Sequence, residues 1–345
     1  MRLGVVSYTN VNSGVGVVAR DIVDNAPVDS FLSVPTVKGR EQWLERQVNG
    51  MPDSQTLNAY LDRFKPDILI GIETFFRPEV YAVCRKRGVK TCLIVMHEAY
   101  IEGRHSPDWF LCPTRVAFDR VGEPNKVYFD WPIDVRPFTF TKRTEARRFL
   151  HVMGYGSGAR CGGSGFNRRQ TREVCDGFRS LPNPDITLTV HCQEDWRQEY
   201  GHCEDSRVVY RLQNLPTPAE VYAGFDVLIQ PDAYAGLNRP LLEAKACGMP
   251  VLTTDAAPMN ELVHDPEALI PCSPVWYDHR QHGTGFGPVC NLNLVTAEGV
   301  AAALRRVLTW DIPAKSVRAR ACAENHAWTE DKRADFLRLL ESMTN

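Results

Sequence analysis

No stretch of the 345 residues approaches the roughly 18–20 consecutive apolar positions that span a bilayer. The opening residues, Met1-Arg2-Leu3-Gly4-Val5-Val6-Ser7-Tyr8, run straight into a strand pattern without the long apolar core of an export signal. A soluble, cytoplasmic chain without integral membrane association is expected. Net charge is also scarce. With 40 Lys and Arg against 42 Asp and Glu, the formal charge is -2, so nothing global calls for nucleic acid or an anionic membrane. Metal-ligand spacing is missing too. His191-Cys192 and His202-Cys203 are adjacent pairs, not the Cys-x2-Cys or His-x3-His spacing that zinc takes, and no metal site is expected. The 11 cysteines are an odd number scattered along the chain, which suits reduced thiols better than a disulfide framework. What remains is an ordinary globular composition, 43% hydrophobic and 24% charged, long for one core and comfortable for two domains.

The most informative stretch runs from Val227 to Leu262. Val227 to Gln230 reads as a short buried strand, followed by a loop with Pro231 and Gly236 and a helix from about Pro240. Leu241, Leu242 and Ala246 give that helix a core stripe; Gly248 and Pro250 stop it before a strand over Val251 to Thr254. A helix entered from the carboxyl end of a parallel strand points free N–H groups and a positive dipole end at the crevice, which suits a phosphate. Glu243, one turn in, is placed to reach the hydroxyls of a bound ribose. The competing reading is an ordinary strand-helix-strand unit with Glu243 facing water.

This stretch resembles the signature of the family 4 glycosyltransferases, retaining enzymes of the GT-B fold that use nucleotide sugars. Gly236, Leu237, Pro240, Leu241, Leu242, Glu243, Ala244, Ala246, Cys247, Gly248, Pro250 and Val251 stand in register with the family wording E-G-F-G-L-P-L-L-E-A-M-A-C-G-x-P-V-V. One departure matters. The family pairs two glutamates eight positions apart, and the first falls on Ala235. The resemblance implies that Glu243 binds the nucleotide ribose and that the amides of Gly236 and Leu237 approach the diphosphate. The residue that usually touches the donor sugar is missing, and Asn238 and Arg239 are the candidates to replace it; Asp232 or Tyr234 could also reach in.

The rest of the chain reads as alternating strands and helices. Leu3 to Tyr8 is a strand, followed by a loop and a helix from about Val15 to Asn25. Gly14, Gly16 and Ala19 spell G-x-G-x-x-A, which in a dehydrogenase would cradle a dinucleotide. The glycines lie about six residues beyond the strand. The second strand, Phe31 to Val34, is followed by Pro35, Thr36 and Val37 instead of the acid that holds an adenine ribose. By resemblance Gly14 and Gly16 face the donor diphosphate. Helices are expected over Leu57 to Phe64 and Val80 to Arg87, and strands over Pro66 to Gly71 and Lys90 to Met96. His97 and Glu98 follow the last of these, where the family often carries a His facing sugar and leaving group; a structural His is the alternative.

The second half opens with a strand over Phe149 to Met153 and a glycine-rich, arginine-rich loop. The family grips donor phosphates with an Arg and a Lys around this turn. Arg169 falls closest to the Lys position, Arg168 is next and Arg160 is a third candidate; Arg in place of Lys keeps bidentate phosphate contact. Helices are expected over Gln170 to Ser180, Pro218 to Gly224 and Thr296 to Leu308, and strands over Ile186 to His191 and Val208 to Arg211. Where a short turn would suffice, residues 272–290 carry Trp276, Tyr277, His279, His282 and Phe286, either a binding loop or a surface hairpin. The tail around Trp328 resembles the family's closing helix.

The fold expected is α/β: GT-B, two Rossmann-like α/β/α domains facing an interdomain cleft. Their expected bounds are 1–142 on the acceptor side and 143–320 for the nucleotide sugar, with a C-terminal helix at 321–345 packing back on the first. The expected activity is a retaining transfer from a nucleoside-diphosphate sugar, most readily UDP-linked, with no other cofactor. No D-x-D occurs, so a metal-independent site is expected, with Arg and helix dipole neutralising phosphate. The acceptor stays open among a glycan, a small metabolite and a modified DNA base. Two other readings remain: an NAD-dependent oxidoreductase resting on Gly14 and Gly16, and an inactive GT-B-like binding protein motivated by Ala235.

Overall fold

A computed structural model of the chain describes residues 1–10, 13–36, 40–154, 167–195, 202–282 and 288–344. They form two compact units, Met1–Pro132 with Trp328–Asn345, and Ile133–Ala327.

The first unit carries β1 (Leu3–Ser7), β2 (Val28–Ser33), β3 (Gln47–Asn49), β4 (Ile68–Ile72), β5 (Lys90–Ile94), β6 (Trp109–Cys112) and β7 (Lys126–Tyr128). They make one sheet in the order β3-β2-β1-β4-β5-β6-β7, every pairing parallel. Strands covered on both faces read as continuous apolar runs, which is why Leu-Gly-Val-Val-Ser and Ile-Leu-Ile-Gly-Ile are buried throughout. The helix Ser54–Phe64 shows the opposite pattern. Leu57, Tyr60, Leu61 and Phe64 form its buried stripe, and Asp53 caps its start by accepting the Thr56 N–H at 2.8 Å. The closing helix Glu330–Thr344 belongs to this unit. Phe129, Trp131, Trp328 and Phe336 pack together with ring centroids 5.1–6.1 Å apart.

The second unit repeats the plan with β8 (Arg148–Gly154), β9 (Thr187–Cys192), β10 (Val208–Leu212), β11 (Val227–Gln230), β12 (Val251–Thr254) and β13 (Leu269–Ile270). Their order is β10-β9-β8-β11-β12-β13, again parallel, and β14 (Ser273–Asp278) pairs antiparallel with β15 (Val289–Leu294) as a hairpin. Buried Asp226 fixes how β11 starts beside β8. Its Oδ2 accepts the backbone N–H groups of Arg147 and Arg148 at 3.1 and 2.8 Å. Two Rossmann-like parallel sheets were expected and are found. In each, strand order reverses once, at β1/β4 and at β8/β11, and the crevice outside the carboxyl ends of such a pair is where ligands bind in open α/β sheets.

Candidate donor site at a topological switch point

At the β8/β11 switch the two strands pair only through Val227↔Phe149 and Leu228↔Leu150. Beyond that, side chains replace the ladder. The Gln230 amide accepts the Val152 N–H at 3.2 Å and donates to the Val152 carbonyl at 3.1 Å. His151, fully buried, donates from Nδ1 to the Ile229 carbonyl at 2.8 Å, which leaves Nε2 to accept the Thr171 hydroxyl at 2.9 Å. Burial, with Arg169 nearby, holds His151 down at about 4, so the ring is neutral near pH 7.

Several of the candidate residues lie around this switch point. Arg169 enters it from the turn before the helix Thr171–Arg179 and pairs at Nη1 with Asp232, the second residue after β11. Asp232 is 0% exposed, and its other oxygen accepts the Gln230 amide at 2.9 Å. Burial pushes the Asp232 carboxyl up against the pull of Arg169 and Arg168. The Arg168 guanidinium lies 5.7 Å from the Tyr234 ring centroid, and the Arg168 carbonyl accepts the Ala233 N–H at 2.7 Å. Gln170, in a left-handed turn at φ 53°, donates to the Pro231 and Asn293 carbonyls at 2.6 and 3.1 Å. The two arginines and the loop after β11 are thus one assembly.

The loop ends at Asn238, which caps the helix Arg239–Ala246 in a left-handed conformation, φ 41°. A glycine stands here in the family wording, and Asn is the side chain that tolerates this region best. Asn238 is only 5% exposed, yet among the described residues neither Nδ2 nor Oδ1 has a hydrogen-bond partner. A buried amide with four unmade bonds is costly, and a polar ligand is one way to complete it. Pro240 occupies the first turn, and Leu241, Leu242, Ala244 and Ala246 are buried. Glu243 accepts the Tyr222 hydroxyl at 2.6 Å and the Arg239 Nε at 3.3 Å. Each carboxylate oxygen takes a second bond, so capacity for ribose hydroxyls remains. Burial and the neighbouring Glu243 push the Tyr222 phenol well up, which keeps it a donor. Ala235, at the position of the family's first glutamate, is 4% exposed in an apolar cluster with Phe138 and Leu241. Gly248 ends the helix at φ 80°; a Cβ there would sit 2.7 Å from the Phe140 ring.

The hairpin β14–β15 leans on this loop. Tyr277, Cys290 and Leu292 pack on Ala233 and Tyr234, and the Asn293 N–H donates to the Ala233 carbonyl at 2.8 Å. The segment forms a hairpin, with Trp276 59% exposed and His279 buried. Arg160 and Phe286 lie outside the described residues, as does most of the glycine-rich loop. Gln230, Gln170 and Tyr222 went unnoticed in the sequence; the signal available was a glutamine closing the otherwise apolar run Val-Leu-Ile-Gln.

The remaining candidates are in the first unit. The helix there begins at Gly14, capped by Ser13, whose Oγ accepts the Gly16 N–H at 3.1 Å. A Cβ on Gly16 would fall 1.9 Å from the Asn10 carbonyl oxygen, so the turn itself demands glycine; Gly14 has open space. His97 follows β5, 5% exposed, with Nδ1 3.4 Å from Glu98 Oε2. Burial pulls its pKa down while Glu98 opposes, so the neutral ring is favoured.

Residues 171–275 match the family model described as glycosyl transferases group 1. No curated protein matches the chain. Among solved structures, the sucrose-phosphate synthase of Thermosynechococcus elongatus superposes with a TM-score of 0.72 at 13% identity, covering 99% of both chains. The Anabaena protein HepE, crystallised with UDP and glucose, gives 0.67 at 11% identity over 99% of this chain and 100% of that one. A trehalose-6-phosphate synthase studied for glycosyl transfer with retention gives 0.62 at 13% identity over 99% of each. At such identities the likeness speaks for the fold, GT-B; the matched segment, which spans the switch-point crevice from the helix after Arg169 to the hairpin, speaks for the activity. The chain is a glycosyltransferase of GT-B fold whose second unit carries a group 1 glycosyl transferase domain.

Proposed function

We propose that the chain moves a sugar from a nucleoside-diphosphate sugar, most readily UDP-linked, to an acceptor hydroxyl, with retention and without a metal ion, in the cytoplasm. The observation that carries this reading is the convergence at one switch point of two arginines, a helix N-terminus and the orphaned Asn238 amide. In this reading Arg168 and Arg169, with the amides of Gly236 and Leu237, hold the diphosphate and stabilise the charge that grows on the leaving phosphate. Those cationic and amide donors supply what a metal would otherwise supply. Glu243 takes the ribose, and Asn238 with Arg239 takes the sugar in place of the absent glutamate. By resemblance, Gly14, Gly16, His97 and Glu98 are the candidates that the first unit contributes to this reading. The comparison structures with UDP, with UDP and glucose, and with UDP-2-fluoro glucose support the uridine donor. Acceptor classes consistent with the reading are a glycan, a small metabolite and a modified DNA base.

Thermal-shift binding tests it, with UDP, GDP, ADP and NAD each added to the wild type and to Glu243→Ala. UDP is expected to raise Tm, and the mutant is expected to lose most of that rise. Stabilisation by NAD alone, unchanged in the mutant, would move the site to Gly14 and Gly16 and sink the proposal.

A further inference from the structure

The helix Thr171–Arg179 and the segment before β10 bring two thiols together. Cys175 and Cys203 are 5% and 6% exposed, lie in one apolar cluster and are both free thiols. Tyr210 ties them: its hydroxyl lies 3.9 Å from Cys175 Sγ and accepts the Cys203 N–H at 3.2 Å. Both cysteines line a cavity of about 130 Å³ together with Arg172, Arg179 and His202. A small polar oxidant therefore has space beside the sulfurs, where Arg179 favours a thiolate on Cys203 and Asp176, its ion-pair partner, opposes one on Cys175. We propose that Cys175 and Cys203 form a redox-active dithiol that hydrogen peroxide closes to an intramolecular disulfide.

The two sulfurs have different jobs. The neighbouring Cys175 thiol, with Arg179 helping, holds Cys203 below its ordinary value against burial and Asp205, whereas the nearby Cys203 and burial push Cys175 up. Cys203 is the attacking thiolate and Cys175 the resolving thiol. In the first step Cys203 Sγ bonds to one peroxide oxygen, the O–O bond breaks, and hydroxide leaves, taking a proton to become water. In the second, Cys175 gives up its proton and attacks the sulfenic sulfur; the S–S bond forms and a second water departs. The two thiols lose two electrons, and one peroxide becomes two waters. The bridge would lock the helix that begins directly after Arg168-Arg169-Gln170 to the start of β10.

The test uses the full reduced chain, treated with one equivalent of hydrogen peroxide, alkylated and mapped by peptide mass. A Cys175–Cys203 linked peptide, short of two hydrogens and restored by dithiothreitol, is expected as the first product. Cys175→Ser is expected to leave Cys203 as a sulfenic acid that dimedone traps, and Cys203→Ser to leave Cys175 unoxidised. In the untreated protein, iodoacetamide is expected to label Cys203 at least about tenfold faster than Cys175. A first disulfide between any other pair, or oxidation elsewhere while Cys175 and Cys203 stay reduced, overturns the proposal. The wild-type map alone decides this if either variant fails to fold.

Discussion

Asn238 and Asp232 test the crevice from opposite sides. Asn238 sits in a left-handed conformation with its amide unpartnered among the described residues, so the side chain does nothing for the empty fold that glycine would not do. Asn238→Gly keeps the backbone and removes only the amide. Its stability is expected to stay within about 1 kcal/mol of wild type, while donor affinity falls by about tenfold, the worth of one or two hydrogen bonds to sugar hydroxyls. Isothermal titration with UDP-glucose and with UDP alone separates the two halves of the ligand. An equal loss for both would place Asn238 on the nucleotide and not on the sugar. Asp232 behaves differently, because it neutralises a buried guanidinium. Asp232→Asn leaves Arg169, 13% exposed at the side chain, with its charge unmatched, a change that costs about 3–5 kcal/mol when one partner of a buried pair is removed. A large fall in denaturation midpoint, partly recovered by UDP as its phosphates replace the lost carboxylate, is the expected outcome. A variant as stable as wild type would mean that the pair is solvated.

At the scale of elements, what could be read from the sequence follows burial pattern. The parallel strands were legible because burial on both faces turns them into plain apolar runs; Val227–Gln230 and Val251–Thr254 coincide with the expected bounds. The helix Ile312–Asn325 was not anticipated. Its buried stripe is Ile312, Ser316, Ala319 and Ala323, small residues whose contrast with the polar face is too weak to announce an amphipathic helix. Those small residues matter for the donor helix. Ser316 Oγ donates to the Gly248 carbonyl at 2.7 Å just past the end of Arg239–Ala246, and Arg320 on the same helix as Ser316 donates to the last carbonyl, that of Ala246, at 2.6 Å. Around the switch point, Glu243 was named through the motif and Arg168 and Arg169 through the family's strand-helix turn, but Gln230, Gln170 and Tyr222 were not singled out. Apart from the Gln230–Asp232 bond, their side-chain hydrogen bonds join positions 21 to 125 residues apart, which no local pattern records. Gly248 links the two levels. Gly248→Ala must hold φ 80° and press a methyl against Phe140 and the Thr141 carbonyl, which is expected to cost about 2–4 kcal/mol. Urea unfolding measures this; a cost below about 1 kcal/mol would show that the turn relaxes.

At the scale of the whole molecule, pH reads out how the buried polar groups are held. His151 accepts from Thr171 and donates to Ile229, and His191 accepts the Arg211 Nε–H at 3.0 Å, so both rings are built in as neutral. Burial lowers each from 6.5 to about 4 in the folded state, with Arg169 acting further on His151 and Arg211 on His191. Between those values the unfolded chain binds protons that the folded one refuses, so stability falls as pH drops from 6.5 toward 4, by up to about 3 kcal/mol for each ring. Carboxylates act in a lower window. Asp205, held down mainly by Arg207, and buried-end Asp278, held at about 2 by Arg280, have folded values below the ordinary 3.8. Their contribution is present above 3.8 and is lost only as pH falls beneath it. The interval from 6.5 to 4 is therefore set mainly by the buried imidazoles, with Asp232, pushed up by burial, acting in the opposite sense. Denaturant unfolding at pH 7, 5.5 and 4.5 is expected to show a steady loss across that interval in both units, because in the first unit burial also lowers His105 to about 4 and pulls His97 down. A profile flat down to pH 4.5 would mean that protonated His151 finds a new acceptor at the switch point, and with it that the Gln230 and His151 bridge holding the donor crevice open is softer than its hydrogen bonds imply.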